Sequence, residues 1–463
     1  MRRREFMKYT VAAAVTVATE VTAAEKTRKP NVLFILADDV TYSTLGCYGG
    51  RNVKTPNIDH LARQGVRFTR AYAAMSMCAP FRAELYTGLY PVRNGVARNH
   101  AAAREGLKSV CHYLGDLGYR VGIAGKTHVK PRTVFPFKGV GGPLAGQQVR
   151  QFITQGPEQP FCLFCCSQNA HPPWRSGDAS KIDAGAVKLP PVIHDNPPTR
   201  KTFVGYLAEV VALDGEVGDI LKVLTESGKA DNTLVMFSSE QGWDFAFGKW
   251  TNWDIGIHTA LIARWPGRVK PGAESDALIQ IADVVPTLIA AAGGDPGPHK
   301  LDGVSFLPVL TGQSKKHRKY VYGLHNNWPE GNPYPIRSIR DDEFHYLMNL
   351  KHQERYHEKH LMTEGPAKRY DLQWWQATSD AAEQGDRKAK KLMDKFHHRP
   401  GEELYRVDED PYEMNNLAKD PKYGDVKKRL RTELQRWMTQ QKDPGAAMDY
   451  PRETKRKRNT NRD

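Results

Sequence analysis

The chain has 463 residues and a formal net charge of +15, and 40% of its residues are hydrophobic. This composition allows a sizeable core and excludes a disordered protein, and the length suits two or three domains or one large α/β domain with an appendage. The positive charge indicates an acidic partner, which could be a nucleic acid, an anionic membrane or an anionic polysaccharide. No nucleic-acid-binding motif accompanies it, so we expect no nucleic acid partner.

The first residues have the pattern of an export signal. Arg2, Arg3 and Arg4 precede a short apolar run at 9–18, and small residues follow at 21–24. This order is typical of a secretory signal, and the paired arginines resemble a twin-arginine signal. We expect residues 1–24 to direct export to the periplasm or medium of a bacterium. The apolar run is shorter than the roughly 20 residues of a spanning helix, so no stable membrane insertion is expected.

Strands and helices alternate over the first two thirds of the chain. The apolar run 31–37 ends at Asp38 and Asp39, and a run without polar residues is typical of a central parallel strand. Further strands are predicted at 65–69, 118–124, 160–167, 232–239 and 259–265, and helices at 58–62, 108–117, 203–227 and 279–292. The fold class is therefore α/β, with a large doubly wound mixed sheet flanked by helices.

The pattern changes after about residue 315. Short strands are predicted at 319–324, 336–339, 345–349 and 402–407, and helical segments at 371–396 and 427–440. We therefore predict a catalytic domain over 28–315 and a smaller C-terminal α+β subdomain over 316–445 with a short antiparallel sheet. The basic segment 446–463 is predicted to be a disordered tail.

The segment Met75–Pro91, MSMCAPFRAELYTGLYP, carries the most distinctive pattern. Cys78 precedes Pro80, whose fixed φ suits a first helical turn, and Arg82 follows one turn later. The positive end of a helix favours negative charge on a group placed there. The residues alone leave two alternatives, a buried cysteine before an ordinary helix or a reactive group at a positively charged helix end.

Polar residues follow the predicted strands, at the edge where open α/β sheets bind their ligands. Asp38, Asp39 and the pair Glu240-Gln241 carry the hard oxygen donors that Ca²⁺ or Mg²⁺ prefers. Cations and imidazoles there suit the binding of an oxyanion and the transfer of protons. They are Arg82, Lys126, His128, His171 and Lys249. Singly, each residue has an ordinary structural explanation, but their recurrence at successive strand ends favours an active site.

Several segments resemble the sulfatase family of the alkaline-phosphatase-like superfamily. They include NVLFILADD, TPNIDHLARQGVRFTRAYA, GYRVGIAGKTH, NAHPP, GKW and the stretch from LDGEVGDI to FSSEQG. The pattern C-x-P-x-R within CAPFRAELYTGLYP is highly specific to that family. The C-terminal EELYRVDEDPYEMNNLAKDP resembles its closing sheet, so the likeness extends over nearly the whole mature chain.

The resemblance implies a sulfuric ester or sulfamate hydrolase that acts on a sulfated carbohydrate. It implies that a formylglycine-generating enzyme converts Cys78 to formylglycine, whose hydrate is the nucleophile. A divalent cation, usually Ca²⁺ with Mg²⁺ as the alternative, would be held by Asp38, Asp39, residue 78, Glu240 and Gln241. Arg82, Lys126 and His128 would support the hydrate, and His171 and Lys249 would bind the sulfate and assist the leaving group.

Two positions depart from the family's pattern. Phe81 stands where Ser is usual, while Cys78 and Arg82 remain, so we expect the modification to occur. Glu240-Gln241 stand where Asp-Asn is usual, and because each side chain keeps its donor atoms we expect a shifted but intact metal site. Two alternatives stay open, a polysaccharide-binding pseudo-sulfatase without turnover and a phosphoester or phosphonate monoester hydrolase with the same nucleophile.

Within the family, GIAGKTHVKPRTVFPF and YPIRSIRDDEFHYLMNL most resemble the N-sulfoglucosamine sulfohydrolases, or heparan N-sulfatases. Thr127 stands where most sulfatases have Trp. Arg337 matches an arginine of that branch and is the candidate contact for an acidic sugar group. Asp244, His325 and Trp174 are further candidates for the substrate pocket. The sequence thus predicts the release of inorganic sulfate from sulfated glycans.

Overall fold

The computed structural model describes residues 28–361 and 372–449. Within these ranges, every helix is too short or too polar to cross a membrane. The predicted export signal, 1–24, lies outside the described residues, and so does most of the predicted tail.

The described residues form two sheets and the helices that cover them. The strands are β1 Asn31–Ala37, β2 Val66–Tyr72, β3 Arg120–Gly125, β4 Lys138–Val140, β5 Phe161–Cys166, β6 Thr233–Ser239, β7 His258–Arg264, β8 Ala273–Ser275, β9 Ile279–Gln280, β10 Val321–His325, β11 Ile336–Arg340, β12 Phe344–Asn349 and β13 Glu402–Arg406. The α-helices are α1 Pro56–Arg63, α2 Cys78–Thr87, α3 Pro91–Asn94, α4 Val110–Asp116, α5 Gln147–Thr154, α6 Pro197–Glu226, α7 Asp254–Ile257, α8 Val284–Ala291, α9 Leu307–Leu310, α10 Gln373–Glu383, α11 Arg387–His397 and α12 Gly424–Gln441.

The larger sheet has β1 near its centre. Its strand order is β4-β3-β5-β1-β6-β7-β2-β8, and β9 also pairs with β2. The strands from β4 to β6 are parallel, whereas β7 is antiparallel to both β6 and β2. The carboxyl ends of β3, β1 and β6 therefore meet at one edge of the sheet, where Lys126, Asp38 and Glu240 follow them.

Apolar side chains cover both faces of this sheet. Along β1, Leu33 and Ile35 enter one apolar layer, and Val32, Phe34 and Leu36 enter the other. This alternation explains the uninterrupted apolar run in the sequence. The predicted α/β class with a doubly wound mixed sheet is confirmed.

The smaller sheet is antiparallel, in the order β10-β11-β12-β13. Leu430, Leu434 and Trp437 of α12 pack in one apolar cluster with Ile339 and Tyr346 of this sheet, because the three residues lie on one face of the helix. The predicted domain boundary near residue 315 falls in the connection between α9 and β10.

One predicted helix is divided between a strand and a helix in the structure. The predicted helix 279–292 begins as strand β9, because Ile279 and Gln280 pair with Ala71 and Tyr72 of β2. The chain then turns through Ile281–Asp283 into α8. The sequence pattern shows one apolar run and does not reveal the partner strand β2. The prediction from periodicity therefore joined strand β9 and helix α8 into one helix.

The first residues of the predicted disordered tail, 446–449, are ordered. Gly445–Asp449 form a 3₁₀-helix, and Asp449 is fully buried. Its carboxylate accepts backbone hydrogen bonds from Asn327, Trp328 and Tyr334 at 2.8, 2.7 and 2.6 Å. These bonds hold residues 446–449 against the loop after β10. Residues 450–463 lie outside the described part of the chain.

A buried charged network joins the two sheets. Asp254 of α7 lies 2.9 Å from Arg340 of β11 and 2.9 Å from His258 of β7. The backbone N–H of Asp254 donates to Glu413, which also binds His345 of β12 at 2.6 Å. Each of these side chains is nearly or fully buried, so each depends on its partner for compensation of its charge.

Replacing the central carboxylate tests this network. Asp254→Asn keeps the shape but leaves Arg340 buried without its counter-ion, so we expect the free energy of unfolding to fall by about 3–5 kcal/mol. Burial raises the pKa of Asp254, but the charges of His258 and Arg340 outweigh burial and lower it to about 2. The folded pKa lies below the unfolded value of about 3.9, so this stabilisation is complete above about pH 4 and disappears towards about pH 2.

Urea denaturation at several pH values measures this difference. The gap between wild type and Asp254→Asn should narrow as the pH falls below about 4. Asp276→Asn, at an exposed site, is the control and should change the free energy of unfolding by less than about 0.5 kcal/mol. A loss below about 1 kcal/mol for Asp254→Asn would show that Arg340 does not depend on this carboxylate.

Candidate active site

Helix α2 starts at Cys78, and all of its residues are buried. Cys78 Sγ lies 3.5 Å from Asp38 Oδ1 and 3.9 Å from Asp39 Oδ1. Burial raises the pKa of the Cys78 thiol well above its usual range, and the Glu240 carboxylate adds to the rise. The thiol therefore stays protonated, which makes an unmodified Cys78 a poor nucleophile.

The two aspartates after β1 each face a cation of their own. Asp38 and Asp39 are fully buried. Lys126, directly after β3, forms a close ion pair with Asp38, and Lys249 Nζ lies 2.7 Å from Asp39 Oδ2. Burial alone raises the pKa of Asp38, but Lys126 and the neighbouring cations outweigh it and bring the pKa well below the usual range. Asp38 is therefore a permanent negative charge of the site.

Glu240 and Gln241 follow β6 and lie beside the aspartates because β6 pairs in parallel with β1. The Glu240 carboxylate contacts the Nε of Arg82, which is fully buried in α2. Gln241 Nε2 donates to Asp39 and lies 3.6 Å from Cys78 Sγ. The structure thus brings all five residues of the implied metal site into one buried cluster.

The cluster fits a divalent cation. One ligand atom from each of Asp38, Asp39, Cys78 and Glu240 lies within 4.8 Å of every other. Two oxygens on opposite sides of Ca²⁺ lie about 4.6–5.2 Å apart, so the set fits one coordination sphere. Gln241 Oε1 is buried and, among the described residues, has no hydrogen-bond partner. A half-turn of this amide would direct that oxygen at a cation.

The charges of the cluster nearly cancel. Four carboxylates and three Lys or Arg side chains face one another: Asp38, Asp39, Glu240, Asp244, Arg82, Lys126 and Lys249. With all of them ionised, the sum is one negative charge, and a bound divalent cation changes it to one positive charge. The loaded site therefore favours an anionic substrate.

A second side of the cluster can hold an oxyanion. His171 Nε2 lies 3.8 Å from Asp39 Oδ2, the oxygen that Lys249 also contacts. Asp244 Oδ2 lies 3.4 Å from Lys249 Nζ, and Asp244 Oδ1 accepts a 3.1 Å hydrogen bond from Trp250 Nε1. Lys249 is therefore fixed between two carboxylates, while the half-buried His171 faces the same point.

His128 lies two residues after Lys126 and is half-buried. Its Nδ1 is buried and has no hydrogen-bond partner in the part of the chain that the structure describes. Its Nε2 lies 2.7 Å from Nδ1 of His100. Burial, together with the charge of Lys126, lowers the pKa of His128 to about 3, so the ring is neutral.

Sequence reasoning did not single out His100, Trp250 or Glu84. Glu84 is buried in α2, and its carboxylate accepts backbone hydrogen bonds from Ala74 and Ala282 at 2.8 and 3.2 Å. Burial raises the pKa of Glu84 to about 8. The position of Glu84, two residues after Arg82 in a buried helix, could have identified it from the sequence. His100 lies in a loop without a recognisable pattern.

Arg337 lies outside the cluster and is fully buried. Its Nε and Nη2 contact the two oxygens of Asp443 at 2.5 and 2.9 Å, and its Nη1 donates to the backbone of Ile336 at 2.8 Å. This geometry makes Arg337 half of an internal ion pair in place of the predicted contact with an acidic sugar group. Asp443 follows α12 and is 106 residues away, which no local pattern reveals.

The other candidate pocket residues have different surroundings. His325 is fully buried, its Nε2 lies 3.4 Å from Asn327, and burial lowers its pKa to about 3. This hydrogen bond joins His325 to the loop after β10, and its predicted role in the substrate pocket stays a prediction. Trp174 donates to the carbonyl of Ala170 at 2.7 Å and so supports the segment that carries His171.

Phe81 packs in the apolar layer on one face of the larger sheet, together with Phe34 and Phe164. It is fully buried. The departure from the family's Ser thus lies in the core, while Cys78 and Arg82 of the same helix contact the charged cluster.

The fold is α/β, and carboxylates, cations and a buried cysteine meet at the carboxyl edge of its larger sheet. This arrangement defines the class of protein as an α/β enzyme for an anionic substrate. A family model described as "Sulfatase" matches residues 30–142 and 144–294, and one described as "N-sulphoglucosamine sulphohydrolase, C-terminal" matches residues 239–372. The first match covers more than half of the chain. The chain therefore belongs to the sulfatase family and is a sulfuric ester hydrolase.

Two relatives and one solved structure extend this comparison. The chain is 36% identical over 430 residues to an ulvan-active sulfatase of Formosa agariphila, a match that covers 90% of this chain and 81% of that protein. It is 26% identical over 473 residues to human N-sulphoglucosamine sulphohydrolase, covering 90% and 92%. A protein solved in complex with its substrate D-glucosamine-2-N,6-O-disulfate shares the fold, with a TM-score of 0.67, 20% identity and coverage of 90% and 99%.

Paired variants test the internal role of Arg337. Arg337→Met leaves Asp443 buried without its partner, so we expect the free energy of unfolding to fall by about 3–5 kcal/mol, and Asp443→Asn should lose a similar amount. Because both changes break one pair, the double variant should lose less than the sum of the two. Urea denaturation measures the losses. A raised KM for Arg337→Met at unchanged stability would instead show a substrate contact.

Proposed function

We propose that the protein hydrolyses sulfate groups of sulfated glycans with formylglycine at position 78 and a bound Ca²⁺, and that its substrate is an N-sulfated glucosamine. The observation that carries the proposal is the surrounding of Cys78. Its protonated thiol lies between the carboxylates of Asp38 and Asp39, inside a cluster with three buried or half-buried cations. Such a site suits an anionic oxygen nucleophile far better than a thiolate.

Ca²⁺ and formylglycine, the two groups that the chain would acquire, would each have a defined role. Asp38, Asp39, residue 78, Glu240 and Gln241 would hold the Ca²⁺, which supplies Lewis-acid stabilisation of negative charge. The hydrate of formylglycine supplies two hydroxyls on one carbon, so that attack and release of sulfate use different oxygens. A formylglycine-generating enzyme is the partner that this modification requires.

The protein's own side chains would bind the anionic substrate and transfer protons. A sulfated substrate is an anion and repels an anionic nucleophile, and the ammonium groups of Lys126 and Lys249 offset that repulsion. His128 is neutral, and its Nδ1, which has no hydrogen-bond partner among the described residues, is the candidate proton acceptor. His171 and Lys249 converge on one oxygen of Asp39, where they can bind sulfate and assist the leaving group.

The choice of an N-sulfated sugar has two supports. The C-terminal family model carries the name of the N-sulphoglucosamine sulphohydrolases, and the human enzyme of that name aligns with 90% of this chain. The competing substrate is ulvan, which the more identical relative acts on by its name. The two substrates differ in the bond that is cleaved, a sulfamate N–S bond against a sulfate ester O–S bond in the ulvan case.

A substrate panel tests the proposal. The protein is prepared together with a formylglycine-generating enzyme, and modification is verified as a decrease of about 18 Da in the peptide that contains residue 78, from replacement of SH and H by O. Sulfate release is measured for N-sulfoglucosamine, ulvan oligosaccharides and p-nitrophenyl sulfate, and phosphate release for p-nitrophenyl phosphate. We expect the highest kcat/KM for N-sulfoglucosamine and a loss of at least about 10³-fold for Cys78→Ala.

The other possible results of this panel would each contradict one part of the proposal. A higher kcat/KM for ulvan oligosaccharides than for N-sulfoglucosamine would contradict the proposed substrate. A higher kcat/KM for the phosphate ester would favour a phosphoester hydrolase. A modified protein that binds sulfated polysaccharide but releases no sulfate from the panel is a pseudo-sulfatase. Activity of Cys78→Ala equal to wild type would contradict the nucleophile.

A further inference from the structure

His100 and His128 form a histidine pair beside the charged cluster. His128 Nε2 lies 2.7 Å from His100 Nδ1, which is hydrogen-bonding distance, and the ring centroids are 4.6 Å apart. The outer ring, His100, is exposed, whereas His128 is half-buried. The pair thus links a nitrogen inside the site to the solvent.

Three contacts hold the loop that carries His100 in place. Its Ala103 N–H donates to the carbonyl of Lys130 at 2.8 Å, which fixes the loop beside the segment of His128. Asn99 accepts a 3.4 Å hydrogen bond from the backbone of Ala79 in α2, and Asn326 donates to the carbonyl of Ala97 at 3.1 Å. The loop is therefore attached to the nucleophile helix, to the segment after β3 and to the loop after β10.

The surroundings of His128 decide which nitrogen carries its proton. A neutral imidazole has one N–H, and the partner of one nitrogen fixes the state of the other. If His100 donated to Nε2, the buried Nδ1 of His128 would carry an N–H beside cations. Lys126 and Arg82 are the permanent positive charges that act on this ring, and positive charge favours a lone pair at the buried nitrogen. This favours the form in which His128 Nε2–H donates to His100 Nδ1.

We propose that His100 is a positioning residue that holds His128 in the Nε2–H form, so that the lone pair of Nδ1 is available as the proton acceptor of the site. The inference rests on the proposed function for its effect on turnover. Its structural content, the tautomer of His128, does not depend on the substrate or on modification of Cys78.

The pair also provides an exit for the proton. When His128 Nδ1 takes up a proton, its Nε2–H proton passes along the 2.7 Å hydrogen bond to His100 Nδ1, and His100 releases its own Nε2–H proton to water. One proton enters and one leaves, and each ring ends neutral with one N–H. No additional positive charge remains beside Lys126.

Substitutions that suit the backbone of His100 separate the side chain's role from folding. His100 has φ of 60°, in the left-handed region that Gly and Asn adopt most easily. His100→Gly removes the acceptor. His100→Asn keeps one, because the asparagine Oδ1 and the histidine Nδ1 are both two bonds from Cβ. Lys300→Gly, at an exposed residue with φ of 50°, is the control for a glycine in this conformation.

The kinetic arm uses the modified enzyme and the best substrate of the panel. We expect His100→Gly to lower kcat by about 10- to 100-fold with KM changed less than about threefold, because substrate contacts stay intact. His100→Asn keeps the hydrogen-bond acceptor but cannot pass a proton on, so its kcat should lie between those of wild type and His100→Gly, and added imidazole should restore part of the activity of His100→Gly. Equal kcat for wild type and His100→Gly would overturn the proposal.

The spectroscopic arm reads the tautomer directly, on protein with either Cys78 or formylglycine. Histidine ¹⁵N spectra distinguish N–H from lone-pair nitrogens, and loss of resonances in His128→Gln assigns them. We expect an Nε2–H form for His128 in wild type, Lys300→Gly and His100→Asn, and a mixture in His100→Gly. An Nδ1–H form in wild type, or no change in His100→Gly, would overturn the proposal. An inactive wild type with the expected spectra would refute the proposed function and leave this inference standing.

Discussion

The structure depends on the pairing of charged side chains that are buried at one edge of its larger sheet. Asp38, Asp39, Glu240 and Arg82 are fully buried, and an isolated buried charge is far too costly to persist. Each carboxylate therefore has a cation, namely Lys126, Lys249 and Arg82. The same charges that stabilise one another also make the binding site for a divalent cation and an anionic substrate.

The fold places these charges together without long loops. Parallel pairing of β3, β5, β1 and β6 brings the residues after four strands to one edge, and α2 lies against them with Arg82 directed at Glu240. A polar group in such an apolar surrounding must be paired, so the surroundings of each catalytic side chain are fixed by the pairing of its neighbours. Function and stability are for this reason difficult to separate by single substitutions in the cluster.

Much of the architecture could be predicted from the sequence. The apolar runs that end at Asp38 and Glu240 identify central strands, and the common edge of a parallel sheet then brings their carboxylates together. Contacts between distant segments could not be predicted in this way. Arg337 pairs with Asp443 across 106 residues, and β9 exists because β2 is its neighbour. His100 gave no signal, since its significance comes only from its distance to His128.

A calorimetric titration of Ca²⁺ into metal-free protein with formylglycine at position 78 tests the central claim most directly. If the buried carboxylates form a cation site, one Ca²⁺ should bind per chain with a dissociation constant below about 10⁻³ M. Glu240→Ala and Gln241→Leu should each weaken that binding by at least about tenfold, whereas Asp276→Asn should not. Absence of binding, or equal binding in all variants, would contradict the account, because the charge cluster would then be complete without a metal.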